Sequence, residues 1–298
     1  MRMFRIWPLA VMAMFAVVNT AQADGTGQVT QLPEVTVTEQ VLKQNEPVGP
    51  YNQPKWTTGG QIGAESVYVL PAWNAELSQR WFPEIPRRGE SDNAFQNEIE
   101  VGLPYRFQAD FNENWGVDSD GHVQQRGIEL EGRWAFADWD VIPLNPTLYF
   151  EWEFNDGDSE DGSADAYELK LLLAEQFYQR WHWAFNFINE QQVGGARTTE
   201  FKATQTLTYT LMDDKLAAGV EMKFEHTTEN GSRSDPEIEF LLGPSLTWRP
   251  TPNTHFDLVP LFGLTGDAPT MEAVVVFGIE FGPGGEHEGY EPASARGR

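Results

Sequence analysis

The stretch "PTLYFEWEFNDGDSEDGSADAYELKLLL" (146–173) carries two opposed instructions. At its start Leu148, Phe150, Trp152 and Phe154 alternate with Tyr149, Glu151 and Glu153, and near its end Tyr167, Leu169 and Leu171 alternate with Glu168 and Lys170. Between them runs a series of Asp, Gly and Ser that no apolar core would accept. A period of two marks extended chain whose faces meet different surroundings. The surroundings required here are unusual, with large aromatics rewarded on one face and carboxylates on the other.

The same alternation recurs from about residue 72 to 281, in segments of roughly the 9–11 residues with which a tilted strand crosses a bilayer. One parity is apolar over 73–81, 95–103, 105–111, 128–136, 148–154, 167–173, 181–187, 201–211, 216–224, 238–248, 256–264 and 271–281, which makes twelve candidate strands. The other parity carries Glu98, Glu100, Asp110, Glu129, Glu131, Arg133, Glu151 and Glu153 in the first half. Further on it carries Glu168, Lys170, His182, Glu221, Lys223, Glu225, Glu237, Glu239, Asp257 and Glu280. Glu76, Arg80, Arg106, Glu200, Lys202 and Glu272 share that face. Acids outnumber Lys and Arg on it by roughly three to one.

The connections differ in kind. Residues 103–106, 212–215 and 249–253 are tight turns, whereas 83–93, 112–122, 155–165, 189–196 and 227–237 are longer and charged. Short turns at one end and long loops at the other are the layout of an outer-membrane barrel, the long loops facing outward. Trp73, Trp81, Trp134, Trp152, Trp181, Trp183 and Trp248 fall outward near strand ends, as interfacial girdles do. Backbone groups in hydrocarbon need internal partners, which a closed sheet supplies without edges. The expected fold is all-β, an antiparallel transmembrane β-barrel of about 12 strands (10–14), with long extracellular loops and short periplasmic turns.

The rest of the chain fits an exported protein. Residues 1–23 combine Arg2 and Arg5, an apolar run from Ile6 to Val18 and an Ala21-Gln22-Ala23 site, the layout of a cleaved secretory signal. That run is short of the ~20 residues of a spanning helix. Removing Arg2 and Arg5 takes the net charge from −25 to −27, a surface that repels nucleic acid. The chain has no cysteine, so closure of the sheet must stand in for disulfides. Residues 24–62 form a polar periplasmic segment, 63–281 the barrel and 282–298 a polar tail. The partners expected are outer-membrane lipid and lipopolysaccharide, the barrel assembly machinery and a small solute.

The stretches "PVGPYNQPKWTTG" (47–59), "VYVLPAWNAELSQRWFPEIPR" (67–87), "NEIEVGLPYRFQADF" (97–111), "VIPLNPTLYFEWEF" (141–154) and "GPSLTWRPTPNTHFDLVPLFG" (243–263) resemble an uncharacterised, porin-like family of Gram-negative outer-membrane barrels. The resemblance covers most of the mature chain and implies the fold and the outer-membrane location, with no activity or catalytic residues. "LPEVTVTEQ" (32–40) also resembles the short box with which TonB-dependent receptors meet TonB by β-augmentation. The chain is too short for the plug and twenty-two strands of those receptors.

Enzymatic chemistry finds little support. His182 is the one mid-strand histidine on the polar parity, and "RWHWAFN" places no Ser or Asp two residues from it. His122 beside Asp118 and Asp120 reads as loop surface. "NDGDSEDGSAD" (155–165) misses the glycine and the final Glu of an EF-hand, so no metal or cofactor is expected. Two readings of the interior stay open. A wet acidic lumen would pass cations or neutral polar solutes, whereas a cross-paired interior would make a closed structural or binding barrel.

Overall fold

A computed structural model describes residues 41–58, 67–89, 91–118, 120–155 and 164–282. The leader, the 32–40 box, the tip 156–163 with Asp156, Asp158 and Glu160, and the tail with His287 lie outside the described residues. Two short strands, β1 (Pro47–Val48) and β2 (Gln53–Pro54), pair with each other ahead of the main sheet. The main sheet begins with β3 (Ala75–Ile85), β4 (Asp92–Leu103), β5 (Phe107–Val117), β6 (Val123–Ala135), β7 (Thr147–Asn155) and β8 (Ala166–Phe177). It continues with β9 (Trp181–Gln192), β10 (Thr199–Met212), β11 (Leu216–Thr228), β12 (Glu237–Thr251), β13 (Thr254–Gly263) and β14 (Met271–Phe281).

Each of these twelve strands pairs antiparallel with its neighbour in sequence, and β14 pairs with β3 to close the barrel. Alternation then sorts the side chains. Leu130, Phe150 and Leu169 stand exposed on the outside, while Glu131, Tyr149 and Lys170 are buried within. Facing aromatics stack outside, Trp81 on Phe95 and Phe107 on Trp134, with ring centroids 6.1 and 6.0 Å apart. Such pairs add to strand pairing wherever strands present the same face.

The strands are longer than the sequence reading allowed. β5 runs on to Val117 and β9 to Gln192, so parts of 112–122 and 189–196 are wall rather than loop. Trp73 and Tyr105, expected on strands, instead have left-handed backbones at the rim where β3 begins. Arg106 sits in the same kind of turn and does not point inward from a strand; its Nη1 binds Asp138 Oδ1 at 2.9 Å. On that rim the links are two or three residues long, except 136–146.

The long link packs against the pre-barrel segment. Residues 43–57 form three short 3₁₀ turns, and with 67–70 they fold into the mouth on that side. Tyr51, Trp56, Val67, Tyr68 and Val69 make a buried cluster with Trp139 of the link and with the inward Ala135, Ala174 and Ala184. Trp56 and Tyr68 each meet Trp139 edge-on, at 5.5 and 5.4 Å. The Tyr68 hydroxyl donates to the Ala137 carbonyl at 2.6 Å, and burial raises its pKa, keeping it a donor. Gly102 is required here: a Cβ would collide with the Leu70 and Pro71 carbonyls, where the segment's backbone crosses β4.

The wall is under-bonded where β12 meets β13. Pairing between β12 and β13 passes from Leu242–Phe262 to Leu246–Leu258 and skips the residues between. Pro244 and Pro260 occupy those skipped stretches, and neither has an N–H to give.

The fold predicts a depth-dependent penalty on its outer face. Leu130→Arg, at mid-strand, should lower the unfolding free energy by about 2–4 kcal/mol, and Tyr105→Arg at the rim by about 0–1 kcal/mol. Denaturant unfolding in lipid vesicles measures both; equal penalties would contradict a spanning wall.

Candidate functional site

The interior is built from the carboxylate parity, and its organising cation is Arg133 on β6. It is fully buried, with Nε 3.0 Å from Asp110 and Nη2 3.0 Å from Glu100, 3.5 Å from Glu131 and 3.7 Å from Glu98. Arg80 on β3 meets Glu98 from the other side at 2.6 Å. Tyr149 on β7 stands between two cations, its ring 5.1 Å from the Arg133 guanidinium and 4.2 Å from Lys170 Nζ. Its hydroxyl donates to Glu151 at 2.8 Å, and Lys170 binds Glu151 and Glu168 at 3.1 and 2.7 Å. Attraction to charges is stronger away from bulk water, so four carboxylates can share one guanidinium.

Glu129, Glu131 and Glu151 bring carboxylate oxygens within 4.8 Å of one another, a spacing that suits a hard cation. Amide donors already address them: Gln96 and Asn112 bind Glu129 at 2.9 and 2.8 Å, and Asn112 also binds Glu131. Tyr149 and Lys170 bind Glu151, and Arg133 lies 3.5 Å from Glu131, so the trio is also met by donors from β6, β7 and β8.

A second network lies on β8 to β11. Lys202 binds Glu190 at 2.7 Å, Glu200 at 2.8 Å and Glu168 at 3.7 Å. Lys223 binds Glu272 of β14 at 2.8 Å and Glu225 at 3.4 Å, and Glu221 is buried below it on β11. Glu153 and Glu239 are partly buried, and Glu237 is exposed at the rim opposite the mouth.

The third network crosses the closing seam. His255 on β13 places Nδ1 2.7 Å from Asp257 and Nε2 2.7 Å from Glu76 on β3. To do so it reaches over β14 at Gly278, where a Cβ would overlap the imidazole. Arg249 on β12 adds a bond to Glu280 at 3.1 Å.

The sequence reading selected His182, which is buried at the mouth; its Nε2 lies 3.1 Å from Thr210 Oγ1 and 3.4 Å from Gln44 Nε2, with Trp56 over the ring at 4.4 Å. It overlooked His255, because 249–253 read as a turn and left that histidine at a strand edge. Arg249 was hidden for the same reason, since β12 runs on to Thr251. Glu84 and Glu190 fell in stretches taken as loops. Tyr149, on the carboxylate parity, was the one available signal of an interior cation site.

The inner wall is not polar all round. Leu241, Val259, Leu261, Val274 and Val276 pack with Phe82 and Ala268 into an apolar cluster along β12, β13, β14 and β3. In "MEAVVVFGIEF" both parities are apolar, so alternation could not show it. Towards the far rim a cavity of about 390 Å³ opens, lined among others by Glu153, Glu190, Glu200, Arg126, Asn155 and Gln192. On the exposed 118–122 loop, Asp118 accepts the backbone N–H of His122 at 2.8 Å and faces its Nδ1 at 3.1 Å. That backbone bond leads the contacts that hold the Asp118 carboxyl below its usual range.

Removing the central cation should expose the balance. Arg133→Met is expected to lower stability by about 3–5 kcal/mol, because it strands buried carboxylates. Adding Asp110→Asn should restore part of the loss; unfolding midpoints that show no loss, or no recovery, would contradict the shared-guanidinium arrangement.

No protein-family model matches the chain, and no curated protein sequence does. Solved structures do match. An outer membrane channel from Pseudomonas putida F1 aligns with a TM-score of 0.57 at 9% identity, over 74% of this chain and 100% of that one. The NanC porin aligns at 0.50 and 13% identity, over 69% and 98%. The chain, a closed barrel of twelve strands, shares the porin-like barrel fold of outer-membrane channels.

Proposed function

We propose that the barrel sits in the outer membrane of a Gram-negative cell and is a channel for small cationic or neutral polar solutes. The observation that carries this is the charge of the interior. The inward bases Arg133, Lys170, Lys202 and Lys223 are each shared among carboxylates, and Arg80 and Arg249 pair with Glu98 and Glu280, so a negative surplus remains. Glu153, Glu190 and Glu200 bring that surplus to the cavity at the far rim. Acidic rings concentrate cations and exclude anions.

In this setting the far rim faces outward and the mouth holding residues 43–57 faces the periplasm. The packed mouth favours a closed resting state, and with it the second reading, a structural or binding barrel. The structures that share its fold are an outer membrane channel and a porin.

Planar-bilayer recording in a salt gradient tests the proposal. A reversal potential towards cations is expected, weakened by Glu153→Gln with Glu190→Gln and Glu200→Gln. Anion preference would overturn the acidic-channel reading, and a silent bilayer with a folded, heat-modifiable barrel would favour the closed one.

A further inference from the structure

We propose that Asp213 and Asp214, on the turn between β10 and β11, are a latch that holds residues 43–57 in the mouth and keeps the barrel closed at rest. The opening that this controls rests on the channel reading above.

The segment is anchored in two different ways. Towards β4, β5 and the 136–146 link the anchors are backbone and aromatic. Trp73 N–H donates to the Gly102 carbonyl at 2.7 Å, Leu70 N–H to Gln108 Oε1 at 2.7 Å, and Tyr51 Oη–H to the Leu103 carbonyl at 2.9 Å. On this side the chain also continues covalently into β3. It is the hinge.

On the opposite side the anchors are charged. The Lys43 and Gln44 N–H groups begin a 3₁₀ turn, so they have no acceptor within it. Both donate to the Asp213 carboxylate, at 3.0 and 3.2 Å. Twelve residues on, Lys55 Nζ meets Asp214 Oδ2 at 2.6 Å, with both side chains largely buried. Adjacent acids on one short turn thus grip two separate points of the segment. Asp214 has a left-handed backbone, at φ 56°, which directs neighbouring carboxylates to different targets. Gln44 completes this side, donating to the Gln179 carbonyl at 2.9 Å and accepting from Thr210 Oγ1 at 2.6 Å. Release of the two acids frees the segment at Lys43, Gln44 and Lys55 while Tyr51 and Trp56 stay in the aromatic cluster.

The chain has no cysteine, so Thr57→Cys gives a single buried reporter for a membrane-impermeant maleimide on the refolded, detergent-solubilised full chain. Labelling should be slow, and should quicken about tenfold when Asp213→Asn and Asp214→Asn are added, equivalent to about 1.4 kcal/mol in the opening equilibrium. Exchanging the pair, Lys55→Glu with Asp214→Lys, should restore protection. If the double Asn variant does not fold, Thr57→Cys alone serves. Its labelling should quicken as salt rises from about 0.01 M to about 1 M, where the screening length falls from roughly 30 Å to roughly 3 Å. Labelling unchanged by the folded Asn variant, or by salt, overturns the latch whatever the bilayer shows. Faster labelling with a silent bilayer supports the latch and overturns the channel reading instead.

Discussion

In hydrocarbon a backbone amide has no partner except another amide, and a carbonyl has none except an N–H. That constraint governs this chain. It explains why twelve strands pair in sequence and why β14 turns back onto β3. A skipped stretch between β12 and β13 lies where Pro244 and Pro260 have no hydrogen to offer. It also explains how a barrel without cysteine can hold together. Given closure, every second side chain faces inward, and the lipid outside decides which residues those must be.

What the lipid does not decide is how the inward residues balance one another. A carboxylate removed from water needs donors close by. Here Arg133, Lys170, Lys202 and Lys223 each serve several acids at once, with Asn112, Gln96 and Tyr149 filling in. The charges fall into three groups along the wall, and the third crosses the seam through His255 and Gly278. That group ties β13 to β3 on the inner side, where closure has to be completed.

The barrel was readable because its signal is local. Trp152 beside Glu151 and Glu153 needs no knowledge of the rest of the chain. The residues missed share one cause, the position of a turn. Arg249 and His255 flank Pro252 and Asn253, and a boundary misplaced by a few residues removed both from the interior. Arg106 failed in the opposite sense, counted as wall although a left-handed turn carries it. Where both faces are apolar, as in β14, alternation is silent, so the cluster around Val274 and Leu261 could not be seen. The folding of residues 43–57 into the mouth depends on contacts such as Trp56 with His182 and Lys55 with Asp214, over a hundred positions apart. No local pattern encodes these.

The claim beneath all of this is that greasy residues on one parity touch acyl chains while the carboxylates between them look into an enclosed interior. Single cysteines at positions 148 to 154, spin-labelled in lipid vesicles, test it most directly through collision with oxygen and with a water-soluble relaxing agent. Oxygen should reach 148, 150, 152 and 154 preferentially, falling at each position between them. A flat profile along the stretch, or contact of 148, 150 and 152 with the aqueous agent, would contradict it.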